Sequence, residues 1–143
     1  MRVEDILSVK GSSVVTIADG CPLVEAAQVL DSHAIGALVV VDNANRPVAV
    51  LTERDIVREI AVNGEASLNR SVANAATPSF VTAMPDESIE SVMLRMTDRR
   101  VRHLPVLDPQ GSLAGIISIG DVVKSKIADA EAQTAAMRQY IQS

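Results

Sequence analysis

Val15–Arg58, VTIADGCPLVEAAQVLDSHAIGALVVVDNANRPVAVLTERDIVR, lies over Val81–Lys124, VTAMPDESIESVMLRMTDRRVRHLPVLDPQGSLAGIISIGDVVK, at a constant offset of 66 residues and without a gap. Seven positions are identical: Val15/Val81, Thr16/Thr82, Leu38/Leu104, Val40/Val106, Asp42/Asp108, Asp55/Asp121 and Val57/Val123. The hydrophobic pattern carries across almost intact. A repeat of this kind makes each copy one structural unit and lets the two share a core. It also sets Thr52-x-x-Asp55 on Ser118-x-x-Asp121, a hydroxyl and a carboxylate in one frame.

Outward from that alignment, each copy opens on a short β-branched stretch, Val14–Ile17 and Phe80–Thr82, which predicts a strand. An amphipathic helix follows, with Leu23, Ala26, Ala27 and Leu30 on one face and Ile89, Val92, Met93 and Met96 on its twin. Two more strands are predicted at Ala37–Asp42 and Val48–Leu51, and again at Leu104–Leu107 and Leu113–Ile117. Turn-forming residues join them, 42–47 and 108–111. A second helix starts at Thr52 and at Ser118, so the order per copy is β-α-β-β-α, a mixed α/β arrangement.

The first copy's last helix is expected to stop at Asn63-Gly64. A linker, Glu65–Asn69, then leads to a helical piece at Val72–Ala76 that resembles Val3–Leu7 at an offset of 69. The second copy's last helix has no such stop. Val123, Ile127, Ala130, Thr134, Met137 and Ile141 keep a three/four spacing nearly to the end, which predicts one long helix. Divided by repeat, the chain reads as residues 1–66 and 67–143.

At 143 residues the length suits one compact domain, and a single copy alone would be marginal. The formal charge of −5, from 13 basic and 18 acidic residues with no basic cluster, argues against nucleic acid as a partner. One cysteine, Cys21, excludes an internal disulfide, and with two histidines it makes no metal-ligand cluster. Cys21 reads as a small, half-buried apolar residue. The N-terminus lacks the apolar core of a signal peptide, and the longest apolar run, Ala34–Val41, is far short of a membrane span. A soluble, cytoplasmic protein is the expectation. Phe80 and Tyr140 are the only aromatics, so a bound nucleobase would rest between aliphatic walls.

The repeated hydroxyl-x-x-Asp has two readings. A helix start needs such a pair as a capping box, the hydroxyl accepting from the third amide of the helix. The same place also suits an anion, because free N–H groups and the positive end of the helix dipole converge there. A hydroxyl can then hold a phosphate oxygen while a carboxylate one turn on accepts from a ribose diol. Arg54 would add a guanidinium for the phosphate, or else is a solvated charge.

The β-α-β-β-α repeat, the Gly-h-h-Ser-x-x-Asp motif at 115–121 and the Val-Arg-His-Leu-Pro-Val-Leu-Asp run at 101–108 resemble a tandem pair of CBS domains, a Bateman module. The resemblance covers nearly the whole chain. It implies two copies packed through their sheets about a pseudo-twofold axis, with two clefts for an adenine ligand: AMP, ADP, ATP, NAD or S-adenosylmethionine. One cleft would use Thr52, Arg54 and Asp55 with Val101, Arg102, His103 and Pro105. The other would use Ser118 and Asp121 with Ile35, Gly36 and Ala37. Thr16 and Thr82 would help seat the bases. Lys124 is the cation expected near Asp121, and Ala49, standing where the second copy has Gly115, is expected to narrow the first cleft.

No nucleophile–base pair, metal cluster or Gly-rich phosphate loop supports an enzyme. The expected function is a non-catalytic regulatory module that senses adenine nucleotides and signals to an unidentified effector. The alternative is a structural dimerisation protein with empty clefts. A homodimer is expected in either case, assisted by the apolar stripe of the last helix.

Overall fold

The computed structural model describes residues 1–77 and 80–142. In chain order the elements are α1 (Val3–Lys10), β1 (Thr16–Ala18), α2 (Leu23–His33), β2 (Ala37–Val41), β3 (Pro47–Thr52), α3 (Glu53–Asn63), a 3-10 turn (Gly64–Asn69), α4 (Val72–Ala75), α5 (Ile89–Arg99), β4 (His103–Leu107), β5 (Leu113–Ser118) and α6 (Ile119–Gln142). Each predicted helix is present. The long last helix is a single run of 24 residues.

The contacts define two compact units, Ser13–Phe80 and Met1–Ser12 with Val81–Ser143. The boundary at 66/67 divides the chain by sequence. In space, α1 belongs with the second copy. We call the two the first-repeat and second-repeat units.

In the first-repeat unit β1, β2 and β3 form a sheet in that order, β1 parallel and β3 antiparallel to β2. Ile17, Leu23, Ala26, Leu30, Leu38, Val40, Leu51, Ile56 and Val72 make its core. Helix α2 ends on Ala34 in the left-handed region, φ 52°. The β2–β3 turn hangs on Asp42, whose Oδ1 accepts from the amides of Ala44 and Arg46 (both 2.9 Å), with Asn45 at φ 61°. Gly64 closes α3 at φ 66°, where a side chain would be strained.

The second-repeat unit follows the same plan. Val3, Ile6, Ile89, Val92, Met96, Leu104, Val106, Ile117 and Val122 make its core. Helix α5 starts on Ser88, which accepts from the Ser91 amide, and ends on Arg100 at φ 54°, the counterpart of Ala34. Asp108 accepts from the amides of Gln110 and Ser112 (3.0 and 2.9 Å), so the Asp42/Asp108 identity is turn chemistry.

The strand predicted at Phe80–Thr82 does not form. A single parallel bridge, Ala83 to Val106, stands in its place, and β4–β5 is a two-stranded sheet. Proline explains this. In the first-repeat unit the Val39 amide donates to the Val15 carbonyl (3.2 Å). Its counterpart is Pro105, which has no N–H, so that rung of the ladder is lost. The neighbouring carbonyl, of Thr82, accepts from Arg95 Nη1 (2.9 Å), and Arg95 is fixed in turn by Glu87 (2.6 Å).

Candidate functional site

Both hydroxyl-x-x-Asp motifs form complete capping boxes. The Asp55 amide donates to Thr52 Oγ1 (3.2 Å) and the Thr52 amide to Asp55 Oδ2 (2.9 Å). The Asp121 amide donates to Ser118 Oγ (3.2 Å) and the Ser118 amide to Asp121 Oδ2 (2.8 Å). A half-buried strand leads into the helix in each case, and the box turns the chain. The structural reading of the motif is therefore correct, and it fixes where each carboxylate points.

Beyond the box the two carboxylates part company. Asp55 is 3% exposed, and its Oδ1 accepts from Arg58 Nη2 (2.8 Å) and Thr77 Oγ1 (3.2 Å). Both oxygens are engaged by the chain itself. The side chain of Asp121 is 21% exposed. Its Oδ2 also accepts from Lys10 Nζ (2.7 Å), while Oδ1 accepts from nothing among the described residues. Burial opposes ionisation of Asp121, but the Lys10 hydrogen bond, the Ser118 amide and the Lys10 charge outweigh it and hold the carboxyl below its ordinary range.

The cation at Asp121 is thus Lys10, at the end of α1, and not Lys124, which is exposed. Arg54 is exposed as well, and the guanidinium at Asp55 belongs to Arg58. Lys10, Arg58 and Thr77 were missed by sequence reasoning. Arg58 sits at i+3 from Asp55 and could have been found from helix spacing. Lys10 is 111 residues from its partner, and no local pattern marks it.

The remaining candidates fall as follows. Thr16 lies on β1 and is exposed, whereas Thr82 is half-buried. Ala37 is buried at the start of β2 opposite Thr52, and the Gly36 carbonyl accepts from the Glu53 amide (3.0 Å). Ile35 and Gly36 line an open groove of about 600 Å³ between α2 and α3, together with Glu53, Ile56 and Val57. Val101 and His103 are half-buried, Arg102 is exposed and Pro105 is buried. His103 pairs with Ser118 across β4–β5, and the Arg102 carbonyl accepts from the Ile119 amide (2.8 Å).

Gly115 has a packing role. A Cβ there would lie 2.7 Å from Leu7 Cδ2, so the glycine makes room for α1 in its own unit. At the 69-residue offset Leu7 corresponds to Ala76, and in the first-repeat unit Ala49 and Ala76 both pack on the core. A glycine faces a leucine in one unit and an alanine accompanies an alanine in the other.

Two units that share an α-β-β-α order, with a hydroxyl-x-x-Asp cap at the same helix start in each, define a tandem-repeat architecture. Residues 3–62 and 72–127 match the CBS domain family, and the chain belongs to that family as a tandem pair. A curated relative, the mitochondrial CBS domain-containing protein CBSX3 of Arabidopsis thaliana, is 32% identical over 98% of this chain and 71% of its own length. The CBS-domain protein ATU1752 of Agrobacterium tumefaciens is 44% identical with a TM-score of 0.83, covering 87% of this chain and 92% of its own. PAE2072 of Pyrobaculum aerophilum, solved with AMP, is 28% identical with a TM-score of 0.76 over 85% of this chain and 89% of that one. The CBS domain pair of MJ0100, solved with 5-methylthioadenosine and S-adenosylmethionine, is 26% identical with a TM-score of 0.78 over 90% and 98%. Among the described residues no helix is long and apolar enough to cross a membrane.

Proposed function

We propose that this chain is a non-catalytic regulatory module that binds an adenine nucleotide and reports occupancy to an effector protein, as a homodimer. The observation that carries it is the Ser118–Asp121 pair at the start of α6. It presents a hydroxyl at a helix N-terminus, a carboxylate with one oxygen unengaged and a fixed ammonium beside it. Those are the groups that a phosphorylated ribose recognises. The adenine ligands of PAE2072 and of the MJ0100 pair support the same class of ligand here. AMP is the simplest candidate; ADP, ATP and NAD add phosphates to the same unit.

The Asp121 site is the receptive one in this reading. The Asp55 site must first give up Arg58 and Thr77. Calorimetry with AMP tests this. Asp121→Ala should weaken binding by about 2–3 kcal/mol, the range for hydrogen bonds to a charged group. Wild-type affinity in that variant would sink the assignment. Mass spectrometry of small molecules released on denaturing the purified protein names the ligand, and a protein that releases none and binds none favours the structural alternative.

A further inference from the structure

We infer that Lys10 is a ligand-binding residue of the Asp121 site, the donor half of a clamp for a vicinal diol in which Asp121 is the acceptor half. The inference rests on the nucleotide reading above and adds a residue that lies outside both aligned copies of the repeat.

The hydrogen-bond inventory comes first. Lys10 Nζ donates to Asp121 Oδ2 (2.7 Å) and to the Ile116 carbonyl (2.9 Å). An ammonium has three protons, so one is unassigned among the described residues. Asp121 Oδ1 is likewise unengaged among them. The two side chains are 36% and 21% exposed, so a spare donor and a spare acceptor meet solvent side by side. A hydroxyl both donates and accepts, and two adjacent hydroxyls satisfy such a pair better than either group satisfies them alone.

Preorganisation comes second. Lys10 ends a helix whose Val3 and Ile6 are buried in the unit's core, and Leu7 fills the space above Gly115. The amides of Val3 and Glu4 donate to the carbonyls of Glu87 and Pro85 (3.0 and 2.9 Å). The ammonium is therefore held at its post before any ligand arrives, which lowers the ordering cost of binding. A displaceable plug would be tethered loosely; this residue is not.

The test is calorimetry on the full chain, wild type and Lys10→Met, with AMP and with 2′,3′-dideoxy-AMP, which lacks both hydroxyls of the diol. Lys10→Met should weaken AMP roughly tenfold, while 2′,3′-dideoxy-AMP, already weaker, should change by less than about twofold because both partner hydroxyls are gone. Equal losses for the two nucleotides would overturn the clamp and leave Lys10 reading phosphate or merely supporting Asp121. Tighter AMP binding in the variant would also overturn it, making Lys10 a competitor for the carboxylate. Should Lys10→Met fail to fold, Lys10→Gln enters the same comparison. A wild-type protein that binds neither nucleotide removes the nucleotide reading itself, an outcome distinct from any difference between variants.

Discussion

Asp55 and Asp121 occupy the same place in the same capping box, yet one is sealed and the other open. The difference comes in part from a short segment outside each motif. Thr77, just after α4, donates to Asp55; Lys10, at the end of α1, donates to Asp121. On the helix itself Arg58 reaches Asp55, while its counterpart Lys124 does not engage Asp121. An identical motif thus acts as a structural keystone in one unit and as a half-satisfied polar site in the other. Sequence identity at a motif fixes geometry, and its neighbours decide the chemistry.

The largest effect that breaks this comparison is on stability. Asp55→Ala removes a 3%-exposed carboxylate and strands the Thr52 amide, Arg58 and Thr77. It should cost about 3 kcal/mol, as for breaking a buried charge pair from one side. Asp121→Ala, in a partly solvated setting, should cost about 1 kcal/mol. Chemical denaturation of the two variants compares them directly. Equal losses would show that the sealed and open environments do not differ energetically.

A smaller effect concerns the packing that differs beside the motifs. Gly115→Ala places a methyl against Leu7 and should cost about 1 kcal/mol through overpacking. The Cδ atoms of Leu7 end a flexible side chain, so part of the strain relaxes. In a Leu7→Ala background, which reproduces the alanine pair of the other unit, the same substitution should be nearly neutral. A double-mutant cycle by thermal or chemical denaturation reads the coupling, expected near 1 kcal/mol. Strict additivity would mean that Gly115 is not matched to Leu7.

Much of this architecture was legible because it is local. The 66-residue offset, the helix periodicities, the stops at Gly64 and the turns at Asp42 and Asp108 are each written within a few residues. The missing strand at 80–82 was legible in principle, since Pro105 falls where Val39 donates; the β-branched pattern of Val81 and Thr82 spoke louder. The Lys10–Asp121 pair was not legible. It joins Asp121 to a residue outside the aligned copies, and α1 pairs with the distant repeat instead of the one it precedes. Pairings set by tertiary packing leave no periodic trace in a single sequence.

The smallest effect expected on the fold, and the sharpest on association, lies at the far end of α6. The homologous α3 stops after 11 residues, whereas α6 runs for 24. Val122 and Ser125 are buried in its first two turns, and Lys126 pairs with Glu90 (3.1 Å). From Ala130 to Gln142 every residue is exposed, including Met137 and Ile141. The tail therefore adds little to its own unit, and charges placed on it should leave stability within about 0.5 kcal/mol. In the proposed homodimer its apolar stripe has a surface to bury, because an isolated helix of this kind is marginal in water and gains most of its stability from packing. Met137→Glu with Ile141→Glu should then shift the protein toward monomer in sedimentation equilibrium while AMP binding stays unchanged. A wild-type chain already monomeric at micromolar concentration refutes the dimer. A dimer unmoved by both charges keeps the association and moves it to other surfaces, the α2–α3 groove with Ile35 and Val57 foremost.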